Sequence, residues 1–214
     1  MKSVLMTWGG WDGHEPKQCS EKMAGILRAE GVNVEISDSL DCLLNLEKLK
    51  TFDLVIPCWT MSELSADQTK NLSQAVMSGT GLAGWHGGMC DSFRNNCDYQ
   101  FITGGQFVAH PGGFTDYQVN ITNHEDQITA NLEDFKMHSE QYYMHVDPSN
   151  EVLATTTIHS DEMGWIDGCV MPVVWKRMWG KGRVFYSSLG HIAAEFDIPE
   201  LKELMKRGAL WALK

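Results

Sequence analysis

The sequence predicts an α/β protein built on a doubly wound, mostly parallel sheet with helices on both faces. Three observations carry that reading. Short apolar runs alternate with stretches of helical periodicity through residues 1–85. Several of these runs end in glycine-rich loops, as strands of a doubly wound sheet do at the edge where a ligand crevice forms. The chain closes with an amphipathic helix entered through Pro199.

Lys2–Thr7 predicts the first strand, and the loop Trp8–Gly13 follows it. Cys19, Met23, Ile26 and Leu27 then fall on one helical face, and Gly31 stops that helix. Val32–Ile36 predicts a second strand. Phe52–Pro57 predicts a third, whose continuous apolar character suits burial on both faces. Ser65 with Gln68 forms a capping box for a helix in which Leu72, Ala75 and Val76 share a face. Gly79–Gly84 supplies a fourth strand. Later, Tyr117–Thr122, Glu151–Ile158, Val170–Lys176 and Gly182–Ser188 predict strands, several with clean alternation. Residues 124–148 read as irregular and rich in histidine and acids. In the last helix Leu201, Leu204, Met205, Gly208 and Ala212 form one stripe. No repeat or linker intervenes, so residues 1–214 are read as a single domain.

Composition narrows the partners. With 43% hydrophobic and 21% charged residues, the chain has a globular balance and the length for a substantial core. Its net charge of −11 argues against nucleic acid or an anionic membrane as a partner. No apolar run approaches the roughly 20 residues that span a bilayer. The N-terminus lacks the features of a signal peptide, so a cytoplasmic location is expected. The 6 cysteines contain no Cys-x-x-Cys pair and predict reduced thiols.

Gly84-x-His86-x-Gly88 has the spacing of a nucleophile elbow with histidine at its apex. Imidazole moves a proton or binds a metal near neutral pH, but it is a poor acyl-enzyme nucleophile. Other polar side chains stand beside glycine or at strand ends in Gly9–Glu15, Gly104–Gly113, His138–Tyr143 and Ser187–His191. Loops at the carboxyl ends of parallel strands converge, which makes His86, His110, Glu140 and His191 the candidate catalytic residues. Trp11, His14, Trp85, Gly87 and Gly88 are candidate substrate contacts. The two indoles would stack on a sugar ring, and the glycines would let backbone N–H groups approach a ligand. His14 also stands where it would cap the first helix. Strand spacing would put His138, Glu140 and Tyr142 on one face, whereas His124, His145 and His159 read as turn or surface residues. There is no dinucleotide fingerprint, Walker loop, His-Glu-x-x-His or paired Cys/His zinc pattern.

Together these residues resemble the ThuA-like (trehalose-utilisation) family, a branch of the class I glutamine amidotransferase-like superfamily with a flavodoxin-like sheet. The resemblance rests on Gly10-x-x-Gly13-His14-Glu15, Trp85-His86-Gly87-Gly88 and Gly104-Gly105-x-Phe107-x-x-His110-Pro111. It extends to Gly180-x-Gly182-Arg183-Val184-Phe185-Tyr186-x-x-Leu189-Gly190-His191 and covers nearly the whole chain. It implies a role in the uptake and breakdown of trehalose and related disaccharides, on oxidised (3-keto) sugars. Glutamine hydrolysis does not carry over. The apex cysteine is replaced by His86, Cys90 lies a helical turn beyond, and no His-x-Glu pair follows the last strand.

The expectation is a carbohydrate-processing enzyme of isomerase, lyase or hydrolase type. In it His86, His110, Glu140 and His191 move protons beside a keto-sugar carbonyl. One alternative has a divalent metal such as zinc held by the same residues. Another is a non-catalytic sugar-binding or regulatory protein that relies on Trp11 or Trp85. Superfamily habit, rather than any exposed stripe, suggests a homo-oligomer.

Overall fold

The computed structural model describes every residue from Met1 to Lys214. β1 (Ser3–Gly10) leads into α1 (Pro16–Ala29), β2 (Asn33–Ser37) into α2 (Leu46–Thr51) and β3 (Leu54–Thr60) into α3 (Ala66–Ser78). β4 (Gly81–Trp85) runs directly into α4 (His86–Cys90), followed by α5 (Cys97–Thr103). Then come β5 (Gly105–Ala109), β6 (Phe114–Ile121), β7 (Phe135–Glu140), β8 (Tyr143–Val146) and β9 (Glu151–Thr157). The chain ends with β10 (Val170–Trp179), β11 (Gly182–Ser187) and α6 (Pro199–Ala212).

Nine strands form one sheet in the order β2-β1-β3-β4-β11-β10-β9-β6-β7, and β5 pairs with β8 apart from it. The strands from β2 to β11 in that order are parallel. They reproduce the flavodoxin-like order with β11 in fifth place. β10, β9, β6 and β7 extend the sheet in antiparallel fashion. Because β11 lies beside β4, with Ser187 opposite Trp85, the last loop of the sheet opens next to the His86 turn.

Alternation along the central strands fills two layers. Val4, Met6, Leu54 and Ile56 pack with Met23 and Leu27 of α1 and with Leu201 and Leu204 of α6. Leu5 and Val55 pack on the other face with Leu49, Leu72, Val76 and Ile102. The predicted helical faces of α1, α3 and α6 are therefore the buried ones. Both halves of the Ser65–Gln68 capping box are present. No helix is long and apolar enough to cross a membrane.

The stretch expected to be irregular is a point of difference, since residues 124–148 contain β7 and β8. β7 pairs with β6 from Phe114↔Glu140 to Val119↔Phe135. Phe135, Met137 and Ser139 point inward while Lys136 and His138 point out. The alternation is real but only six residues long, and turns on both sides mask it. Placing Glu140 at the end of β7 is what carries it to the site.

Candidate functional site

At His86 the chain turns from β4 into α4 with φ 44°, in the left-handed region that few residues other than Gly, Asn or Asp adopt. Neighbouring glycines permit the turn. A Cβ on Gly84 would stand 2.6 Å from Met89 Cβ, and one on Gly88 3.0 Å from Cys58 Cα. The imidazole is fixed on every side. Its Nδ1–H donates to the Ser188 carbonyl at 2.8 Å, so Nε2 carries the lone pair. Tyr142 stacks on the ring with centroids 4.0 Å apart.

Two other buried side chains meet that nitrogen, and a third stands beside them. His191 Nδ1 lies 3.0 Å from it and Glu140 Oε2 3.2 Å from it. His191 Nδ1 is in turn 3.3 Å from Glu140 Oε2. His14, held at Nδ1 by Thr60 Oγ1 at 2.7 Å, presents Nε2 3.9 Å from Glu140 Oε2. The donor atoms of all four residues lie within 4.8 Å of one another.

Two carboxylates brace this arrangement from behind. Glu195 accepts from the Gly190 and His191 N–H groups at 3.2 and 2.9 Å and from the Ser139 hydroxyl at 2.7 Å. It thereby ties the His191 loop to the residue before Glu140. Glu15, next to His14, accepts from the Ala193 N–H at 3.0 Å.

Burial lowers the His86 pKa to about 4, outweighing the pull of the nearby Glu140 carboxylate, so the ring is neutral. Burial pushes Glu140 up, but the three imidazoles that face it, those of His14, His191 and His86, outweigh it and hold the carboxyl well below its usual range. Nε2 of His86 and Oε2 of Glu140 are then two lone-pair acceptors 3.2 Å apart with no proton of their own between them. A proton on His191 Nδ1, which faces both atoms, or a bound cation would relieve that repulsion. Donor atoms bound at about 2.1 Å to one ion stand roughly 3.0–3.4 Å apart; the 3.0, 3.2 and 3.3 Å separations among His86, Glu140 and His191 fit, and His14 stands wider at 3.9 Å. The neutral imidazole of His86 and the ionised carboxylate of Glu140 are also the protonation states that ligation requires.

Both shifts destabilise the fold in acid. The unfolded chain protonates His86 near pH 6.5, whereas the folded ring resists until about 4. Between those values the unfolded state binds more protons, so stability falls with falling pH by about 1.4 kcal/mol per unit for one proton. Below pH 4.5 the depressed Glu140 adds a further loss. Urea unfolding in the presence of a chelator is expected to follow this slope from pH 6.5 to 4. A His86→Asn variant should be flatter, and equal slopes would refute the assignment.

The rim is aromatic. Trp11, 48% exposed, sets its ring edge-on to His14 at 4.7 Å, and Phe114, 49% exposed, meets His191 edge-on at 4.8 Å. His110 is half-exposed, with Nε2 3.8 Å from Glu140 Oε1.

Several sequence expectations are corrected. Trp85 is 2% exposed and packs edge-to-face on Phe196 at 5.3 Å, because β4 points it into the layer beneath α6. It offers no ring face to a sugar. Gly87 and Gly88 are buried too, and they give α4 room against His14 and Cys58. His14 does not cap α1; Glu15 holds the N-cap position with φ 45°. His138 shares the outward face of β7 with Glu140 but pairs in solvent with Asp116 at 2.8 Å, and Tyr142 lies beyond the strand end. Cys90 is buried, and burial pushes its thiol up. Thr60, Phe114, Tyr142, Ser188 and Glu195 were not foreseen. Only Tyr142, within the His138–Tyr143 segment, and Ser188, within Ser187–His191, carried a local signal.

The sequence profile of the family described as ThuA, trehalose utilisation, matches residues 3–212. The chain belongs to the ThuA family. This ThuA chain folds like a ThuA-like protein of Parabacteroides merdae ATCC 43184, with 18% identity over 99% of this chain and 89% of that one and a TM-score of 0.78. A ThuA-like protein of Bacteroides uniformis ATCC 8492 shows 19% identity over 98% and 89%, also with a TM-score of 0.78. A cytoplasmic protein of Salmonella typhimurium LT2 covers 100% of both chains at 13% identity and a TM-score of 0.70. At these identities the likeness is one of fold. No curated protein matches the sequence.

Proposed function

We propose that this ThuA protein is a metal-dependent enzyme that acts in the cytoplasm on the keto form of a trehalose-type disaccharide. The observation that carries the reading is the convergence of His14, His86, Glu140 and His191, whose donor atoms crowd together with His86 Nε2 and Glu140 Oε2 unprotonated. The family's part in trehalose utilisation supports the substrate class.

Those four residues would hold the ion, and a donor set of imidazoles and one carboxylate suits zinc or another borderline divalent metal. When bound, such an ion supplies Lewis acidity toward a carbonyl oxygen. His86, clamped by Ser188 and Tyr142, holds its position rather than shuttling protons. His110, at the rim and outside the donor set, takes the proton α to the carbonyl and returns it elsewhere on the substrate. Trp11 and Phe114 offer ring faces on which a pyranose stacks.

Metal analysis of tag-free protein tests the reading, with about one divalent ion per chain expected. Turnover of 3-keto-trehalose should vanish with a chelator and return with metal. His110→Ala should lower kcat by roughly 10²–10⁴-fold with the metal retained. Negligible metal with full turnover would leave only histidine acid–base chemistry. Sugar binding without product would leave a non-catalytic binder.

A further inference from the structure

β6 carries Phe114, Asp116, Gln118 and Asn120 at alternate positions on its outward face. Phe114 reaches His191 at the site, and the next side chain on that face stands about 7 Å farther along. β9 pairs with β6 only at Asn120↔Thr155 and Ile121↔Ala154. A bond from Thr156 Oγ1 to the Gln118 carbonyl at 2.8 Å continues the join, and past it the strands separate.

The gap is a cleft of about 320 Å³ lined almost wholly by polar groups, among them Asp116, Gln118, Asn120, Gln141 and Thr157. Gln141, the residue after Glu140, is 4% exposed. It spends both amide hydrogens on Thr156 Oγ1 at 2.7 Å and the Thr157 carbonyl at 3.0 Å. Its position is thereby fixed, and its own carbonyl oxygen is left to accept. Asp116 is steadied by the His138 N–H at 2.8 Å and keeps a second carboxylate oxygen. The fixed Gln141 carboxamide, with the other carboxamides, hydroxyls and a carboxylate of the lining, supplies the mixture of donors and acceptors that vicinal sugar hydroxyls need. The shortage of apolar lining disfavours a lipid or an apolar peptide.

We propose that this cleft is a second saccharide subsite. It holds one ring of a disaccharide while the other lies between Trp11 and Phe114. The proposal rests on the sugar-site reading above and deepens it. Phe114–Asp116 on β6 and Glu140–Gln141 at the end of β7 each join the two subsites.

Calorimetric titration with trehalose and with glucose tests the subsite without turnover, because neither sugar carries the keto group. The wild type is expected to bind trehalose at least about tenfold more tightly than glucose. The Gln118→Ala/Asn120→Ala double variant, altered only on a half-buried strand face, should erase that preference and leave glucose binding unchanged. Asp116→Ala, at an exposed position, should reduce the preference in the same direction. Trp11→Ala should weaken both sugars alike. The subsite is overturned if the wild type binds neither sugar or both equally, if the double variant keeps the preference, or if it weakens both equally. Metal analysis is read separately. A chain without metal that still prefers trehalose loses the enzymatic reading but keeps the subsite.

Discussion

Replacing His86 by Asn is expected to empty the centre while the fold stands. Asn is the informative choice because it tolerates the left-handed φ of 44°, which would strain Ala. The substitution deletes the one nitrogen that lies within 3.2 Å of both His191 Nδ1 and Glu140 Oε2. It also leaves space beside Tyr142, at a cost of about 2 kcal/mol. Metal content should fall from about one ion per chain to less than a tenth of that. Turnover should fall on the order of 10³-fold or more, because several kcal/mol of charge stabilisation go with the ion. Plasma mass spectrometry and initial rates check both, with circular dichroism as the control for folding. A variant that keeps a full equivalent of metal and its rate would place the chemistry elsewhere.

The parts of this site differed in how legible they were from sequence. His86 could be read because a histidine between glycines at a strand end has a local cause, and the turn it makes is the predicted one. His191 and Glu140 could be proposed because strand ends converge. His14 was different. Locally it resembles the start of a helix, and only the approach of β3 (Thr60) and α4 (Gly87) decides that its ring turns inward. Trp85 failed for a related reason: proximity in sequence to the elbow says nothing about which face of β4 a side chain occupies. The brace Glu195 has no local signature, and Ser188 stood out only as part of the strand-end segment Ser187–His191. Their roles follow from β11 pairing beside β4 and from Ser139 lying behind the end of β7, both of which join residues more than 50 positions apart. The parallel half of the sheet was legible through its strand–helix alternation. β7 and β8, short and flanked by turns, were not.

Gly87→Ala sets two effects of opposite sign against each other at a position with no polar atom to lose. Gly87 lies in α4 with no left-handed φ to protect, so on helix propensity alone Ala should stabilise by up to about 1 kcal/mol. Packing opposes this. The new Cβ would stand 2.3 Å from His14 Cε1, 2.5 Å from its Nδ1 and 3.1 Å from Thr60 Oγ1. The two separations to His14 are shorter than any relaxed carbon contact, and His14 is held by Thr60 on one side and by Trp11 on another. The ring must shift, breaking its bond to Thr60 and withdrawing Nε2 from Glu140. Overpacking of this kind costs about 1–3 kcal/mol, so the clash should win. The expected result is a Tm lower by roughly 2–8 °C. Metal affinity should weaken by about 10–100-fold, the loss typical when a ligand's supporting contacts are removed. A Tm that rises with metal affinity intact would mean that His14 is not part of the proposed metal centre.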